Sequence, residues 1–168
     1  EMRGYMPDAY GTGSEEPVGQ VVRLEDVDGD GRMDTSEVFL GGLVNPRAVA
    51  VVNEGVLIGE PPNLWLCATP SKDVLCEQKR SVGGYAPDAA NVEHMENRLL
   101  PGLDNWLYNS KSKRRVRLVD GELQESQGPS RGQWGISKDD YGRLYYNNNS
   151  SWLQADFFQG DDIVEPGI

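Results

Sequence analysis

Gly19-Gln20-Val21-Val22-Arg23-Leu24-Glu25-Asp26-Val27-Asp28-Gly29-Asp30-Gly31-Arg32-Met33-Asp34-Thr35-Ser36-Glu37-Val38-Phe39-Leu40 is the stretch whose reading decides the fold. In its middle, acidic residues stand at positions 1, 3, 5, 9 and 12 of the loop Asp26–Glu37, with Gly31 at position 6. Loops with this spacing wrap hard oxygen ligands round one calcium ion, and the glycine permits the sharp turn between them. Asp26, Asp28 and Asp30 would each offer a carboxylate oxygen, and Arg32 its backbone carbonyl. Asp34 would bind directly or through water, and Glu37 bidentately. The alternative is a solvated acidic turn. Against it, the carboxylates between 26 and 34 repel one another unless a cation sits among them.

The flanks of the loop choose between two architectures. A calcium sensor of the helix–loop–helix kind needs a helix on each side. Before the loop, however, Gly19–Leu24 alternates apolar and polar residues like a strand. After it, Glu37–Leu40 runs into Gly41-Gly42 too soon for a helix. The loop is therefore expected to join two antiparallel strands, with the ion in a structural role.

Composition agrees with an all-β chain. Among 168 residues there are 20 Gly, 10 Pro and 7 Tyr, a mixture suited to short strands joined by turns. The length suffices for one domain with a sizeable core. A formal net charge of −11 argues against nucleic acid, whose backbone demands a basic face. No apolar run approaches the length of a membrane span, and no signal peptide is visible. Glu1-Met2-Arg3-Gly4-Tyr5 reads like the end of a strand, so a segment of a longer chain is expected. Cys67 and Cys76 flank a span with a Pro70-Ser71 turn, which would let them face each other across a hairpin. A disulfide in an extracytoplasmic protein is one reading, and two buried thiols the other.

Three segments further along share one pattern: a strand, a polar turn, and a strand ending in apolar or aromatic residues. In the first, Arg47–Val52 passes through Asn53-Glu54-Gly55 to Val56-Leu57-Ile58 and then Asn63–Leu66. In the second, Leu99–Leu103 passes through Asp104-Asn105 to Trp106-Leu107-Tyr108. In the third, Trp134–Ser137 passes through Lys138–Gly142 to Arg143–Tyr146. The turns recur at roughly 35–50 residues, the period of a four-stranded propeller blade. Leu64–Cys67 with Leu75–Lys79, and Val116–Val119 with Glu122–Gln124 around Asp120-Gly121, would supply outer strands. The expected architecture is a β-propeller of about three to four blades, in segments near 1–45, 46–90, 91–128 and 129–168, with the rest of the ring supplied by other sequence.

Taken together, these motifs resemble a known family. Glu1–Tyr5, Asp26–Asp34, Asn45–Ala50, Asn91–His94 with Gly102–Tyr108, and Arg131-Gly132-Gln133-Trp134-Gly135 are similar to the six-bladed propellers of glucose and sorbosone dehydrogenases. Those enzymes use pyrroloquinoline quinone. The closest similarity is to membrane-bound-dehydrogenase-type propeller domains of bacterial multidomain proteins. The resemblance implies a sugar or alcohol substrate, with His94 as general base for its hydroxyl proton, a role that suits an imidazole. It also implies Arg131 as a contact of the anionic quinone and Arg3 near the same pocket. Glu93 would orient His94 or be a surface charge, while Gln133 and Trp134 would line the pocket or belong to the core. Asn147-Asn148-Asn149 reads as a turn, with polar-ligand binding the alternative. One departure stands out: the family usually places Asn directly after this Arg, where this chain has Gly132.

Two further expectations complete the reading. Lys111–Arg117 is the one basic cluster, expected on a solvated edge, with docking of a redox partner or neighbouring subunit the alternative. At Cys67–Asp73, where a second ion loop would recur, the acidic ligands are largely gone and no ion is expected. The competing functional class is a non-catalytic propeller that binds carbohydrate or protein, since one fold hosts many functions.

Overall fold

A computed structural model describes residues 1–69, 74–87 and 91–157. Among them are thirteen strands, a single 3-10 turn at Val92–His94 and no α-helix. The chain forms two compact units, the first holding Glu1–Arg47 and Val51–Tyr85, the second beginning at Ala86 and including Ala48–Ala50.

The first sheet pairs β1 (Gly19–Glu25) with β2 (Thr35–Leu43), antiparallel, on either side of the acidic loop. Arg23 faces Glu37 across this pair, and their side chains form an ion pair at 2.6 Å. A four-stranded sheet follows in the order β3 (Ala48–Val52), β4 (Gly55–Glu60), β5 (Asn63–Ala68), β6 (Lys79–Gly84). In the first unit Phe39, Leu43, Ile58 and Cys67 form a buried cluster, packed against Val21, Leu40, Val56, Trp65, Leu75 and Cys76. Cys67 and Cys76 are joined in a disulfide with Cα atoms 5.5 Å apart. The Cys76 N–H also donates to the Phe39 carbonyl at 3.1 Å, tying this segment to β2. The Pro70-Ser71 turn lies outside the described residues.

The second unit carries another meander, β7 (Asn97–Pro101), β8 (Leu107–Ser110), β9 (Ser112–Val119) and β10 (Glu122–Arg131). It also carries a three-stranded sheet of β11 (Ile136–Lys138), β12 (Leu144–Asn148) and β13 (Ser151–Ala155). Leu100, Tyr108, Ile136 and Leu144 form its buried cluster, so the two sheets of this unit share a core. Asp120 (φ 52°) and Gly121 (φ 79°) turn β9 into β10 with both central residues left-handed, the geometry of a type I′ hairpin.

Three expectations of local structure need correction. Glu1–Tyr5 is not the end of a strand: the chain before Gly19 is turns, although Glu1 exchanges backbone hydrogen bonds with Gln20. The strand expected over Leu75–Lys79 instead starts at Lys79, because the disulfide and the bond to Phe39 hold Leu75 and Cys76 against the core. Lys111–Arg117 is not a solvated edge. Its strand, β9, is flanked on both sides, Arg115 is buried, and Arg114 bridges Glu96 and Glu125. Arg115 and Arg117 lie over the Trp106 ring at 4.9 and 4.5 Å, which spends the arginines of the cluster on internal contacts, while Lys111 and Lys113 stay exposed.

Candidate functional site

In the acidic loop the structure brings together Asp26, Asp28 and Asp34, with one oxygen of each within 4.8 Å of the others. The sequence folds this way because the carboxylates satisfy the loop's own N–H groups. Asp26 accepts from Gly29 and Gly31, Asp34 accepts from Val27, and Asp28 accepts from Asp30. Gly29 (φ 77°) and Gly31 (φ 89°) supply the left-handed turns that aim those N–H groups inward. Asp30 accepts from the Arg32 N–H, and Glu37 is held by Arg23 on the ladder; neither carboxylate belongs to the three-residue group. Three hard anionic oxygens at this separation could hold a metal ion.

A second constellation forms in the second unit. The 3-10 turn Val92–His94, capped by the Asn91 side chain accepting from Glu93 N–H, presents an exposed His94. Its partner is Gln133 rather than Glu93: Gln133 Nε2 lies 3.2 Å from His94 Nδ1. Gln133 is itself buried, its carbonyl accepting from Asn97 Nδ2 and its Oε1 from the Asn149 N–H. That last bond fixes the amide so that Nε2 donates to the imidazole. The neutral ring then carries its proton on Nε2 and presents a donor outward. The Trp134 ring lies 5.6 Å from that of His94, is 46% exposed, and its Nε1 donates to Asn149 Oδ1 at 3.4 Å. Three separated motifs thus meet around one imidazole.

Arg131 does not join this group as a free cation. It is buried, its Nε donates to Asp156 Oδ2 at 2.6 Å, and its guanidinium lies 5.1 Å from the Tyr108 ring centroid. Asp156 also accepts from the Tyr146 hydroxyl. Burial, then the Asp156 charge, pushes the Tyr146 phenol up, so it stays a donor. Burial and the bond to Asp104 push Tyr108 up likewise. Asp156 had no signal in the sequence: 25 positions separate it from Arg131, and no motif spacing links them. Arg3, in the first unit, is exposed and bonds Glu1 at 2.6 Å.

Arg131 and Gly132 are the positions at which the family resemblance would place the anionic quinone. Arg131 Nε donates to Asp156 and Nη1 to the Pro129 carbonyl, while its buried Nη2 has no hydrogen-bond partner; Arg131 lines neither the cleft at Tyr108 and Asp156 nor the one at Tyr145 and Trp152. Gly132 has φ +61°, and a Cβ there would meet the Gly135 carbonyl at 2.9 Å and Tyr146 Cβ at 3.0 Å. The asparagine usual in the resembled family would therefore fit only if these neighbours shifted.

The chain matches the family described as Domain of unknown function (DUF7133) over residues 1–167. It belongs to that family. No curated protein and no solved structure matches it. For this DUF7133 chain, chemistry must be read from its own side chains. Among the described residues no helix is long and apolar enough to cross a membrane.

Proposed function

We propose that this DUF7133 chain is a calcium-stabilised β-propeller segment that binds carbohydrate without turning it over, outside the cytoplasm. The observation that carries the reading is the His94–Gln133–Trp134–Asn149 constellation. A half-exposed indole offers a flat face for the C–H side of a sugar ring, and the imidazole beside it offers an N–H donor to a hydroxyl. The imidazole is held by the buried Gln133 amide and the indole by Asn149 Oδ1, so little side-chain freedom is lost on binding.

The blade reading is supported by the two sequential four-stranded meanders, the unit from which propellers are built. The loop carboxylates would hold calcium as a staple between β1 and β2. The disulfide and calcium together favour an oxidising, calcium-rich compartment.

The dehydrogenase implied by the family resemblance is less well supported. A base that receives a proton at the outward nitrogen needs Nε2 bare and Nδ1 protonated. That tautomer sets Nδ1–H against the Gln133 Nε2 donor. Turning the amide over would place its NH₂ against the Asn149 N–H instead. Arg131 and Gly132 add the two obstacles already described.

A glycan array followed by calorimetry tests the proposal. Saccharide binding should appear in the presence of calcium and fall about tenfold in Trp134→Ala, the worth of one stacked ring. Added pyrroloquinoline quinone should leave its absorbance unchanged. Sugar-dependent reduction of an artificial electron acceptor by the quinone-loaded chain, lost in His94→Ala, would replace this reading with the dehydrogenase.

A further inference from the structure

The second unit holds a cleft of about 390 Å³ that the His94 constellation does not use. Its floor is the β7–β8 turn, Gly102-Leu103-Asp104, with Tyr108 on β8; its other wall is the β11–β12 turn, Tyr141-Gly142-Arg143, with Asp156 and Phe157 after β13. Two glycines let the walls of the cleft pack closely. A Cβ at Gly102 would strike Asp104 Oδ1 and approach Tyr108 at 2.7 Å, and one at Gly142 would meet the Leu103 side chain at 2.8 Å.

We propose that this cleft is a binding site for a neutral polyhydroxylated ligand, a saccharide. Local charge selects that class. Each carboxylate lining the cleft has a guanidinium partner, Asp104 with Arg115 and Asp156 with Arg131, and Asp139 beside it pairs with the lining Arg143. In a chain with net charge −11 the lining charges are balanced, with Asp140 exposed outside them, so neither a cation nor an anion gains much from entering. The carboxylates nevertheless keep acceptor capacity. Asp156 Oδ1 receives the Tyr146 hydroxyl at 3.0 Å and Oδ2 the Arg131 Nε at 2.6 Å; an ionised carboxylate has about four lone-pair sites. Asp104 accepts from the Tyr108 hydroxyl at 2.7 Å, from the Trp106 N–H at 3.3 Å and, at long range, from Arg115, which leaves part of its capacity unused. Vicinal hydroxyls are the donors that such oxygens accept.

Apolar faces complete the match. Tyr141 is 80% exposed and Phe157 86% exposed, both at the rim of the cleft. Exposed rings beside satisfied but unsaturated carboxylates form the mixed lining by which proteins grip sugars: stacking on one side, charge-assisted hydrogen bonds on the other. The volume falls at the lower end of small-molecule sites, enough for a short saccharide. The inference does not depend on the His94 reading, since no residue is shared.

The test is an amide-resolved NMR titration of the ¹⁵N-labelled chain with methyl β-glucoside, methyl α-mannoside and lactose. Shifts are expected at Gly102, Asp104, Gly142 and Phe157. In Tyr141→Ala, a change at an exposed ring, the affinity read at these amides should fall about tenfold. In Trp134→Ala the same shifts should persist. Shifts confined to residues around Trp134 would overturn the cleft and leave the platform standing, and the converse result would do the opposite. Silence at the cleft amides with every probe at ~50 mM, a weaker regime than specific recognition, would also overturn the proposal. So would larger shifts with tetramethylammonium or inorganic phosphate than with the sugars.

Discussion

Gly132 shows how one position redirects the chemistry around it. The residue next to a buried arginine normally has a side chain to add to the site, yet here the backbone turns left-handed and closes on Gly135 and Tyr146. Asparagine tolerates the left-handed region better than most residues, so the cost of Gly132→Asn is mainly steric. Placing a Cβ 2.9 Å from a carbonyl and 3.0 Å from another Cβ is overpacking, expected to cost about 1–3 kcal/mol. The urea midpoint of the variant should fall with its m-value unchanged. A variant as stable as the parent would mean that the backbone at 132 readily admits the missing donor, reopening the quinone question. The neighbouring arginine carries the lesson about legibility at this scale. A guanidinium at 131 is plain in the sequence, but whether it meets a cofactor or a carboxylate depends on Asp156, which only the folded chain brings to it.

Elements were more legible than their surroundings. Alternation and turn chemistry reveal strands because they are local: Asp120-Gly121 between two alternating runs gives the hairpin that the ladder shows, with Val119 opposite Glu122. The strand flanks of Asp26–Asp34 were readable for the same reason. Rank within a sheet is not local. The charges of Lys111–Arg117 read as an edge, while β9 lies between β8 and β10, and its arginines find Glu125 on β10, Glu96 before β7 and Asp104 in the β7–β8 turn. Likewise, the shift of β6 to Lys79 follows from a covalent bond between Cys67 and Cys76, which no periodicity encodes. The hairpin itself gives a test. Gly121 at φ 79° follows Asp120 at φ 52°, so Gly121→Ala forces a Cβ into the left-handed region at about 1–2 kcal/mol. Chemical denaturation should register that loss. Asp120→Asn, a residue equally at home there, should change stability by less than about 0.5 kcal/mol. Equal effects from the two changes would show that the turn does not select for glycine.

At the scale of the whole molecule, the net charge of −11 gives the acidic loop its leverage. Repulsion among carboxylates disfavours the compact state, and Asp26, Asp28 and Asp34 concentrate that repulsion where the chain must turn between β1 and β2. A divalent ion bound only by the folded chain removes it and stabilises by mass action. The magnitude follows from the donor set. With Glu37 held by Arg23 and Asp28 and Asp34 exposed, the proposed calcium ion is expected to bind weakly, with Kd about 10⁻⁴–10⁻³ M. At ~10 mM calcium and a Kd near 1 mM, the gain is about 1.4 kcal/mol. For a chain of this length that corresponds to an increase in Tm of about 3–6 °C. Magnesium, which gives up its water reluctantly, should do markedly less at the same concentration. Asp28→Asn reverses the sign of the comparison. Without calcium it relieves repulsion and should be at least as stable as the parent, while with calcium it should gain little. Calorimetric scans of both proteins, with chelator, calcium, magnesium and sodium chloride at matched ionic strength, separate a bound ion from general screening. If sodium chloride or magnesium reproduces the calcium shift, the loop is only an acidic turn and the staple between β1 and β2 is purely its ladder.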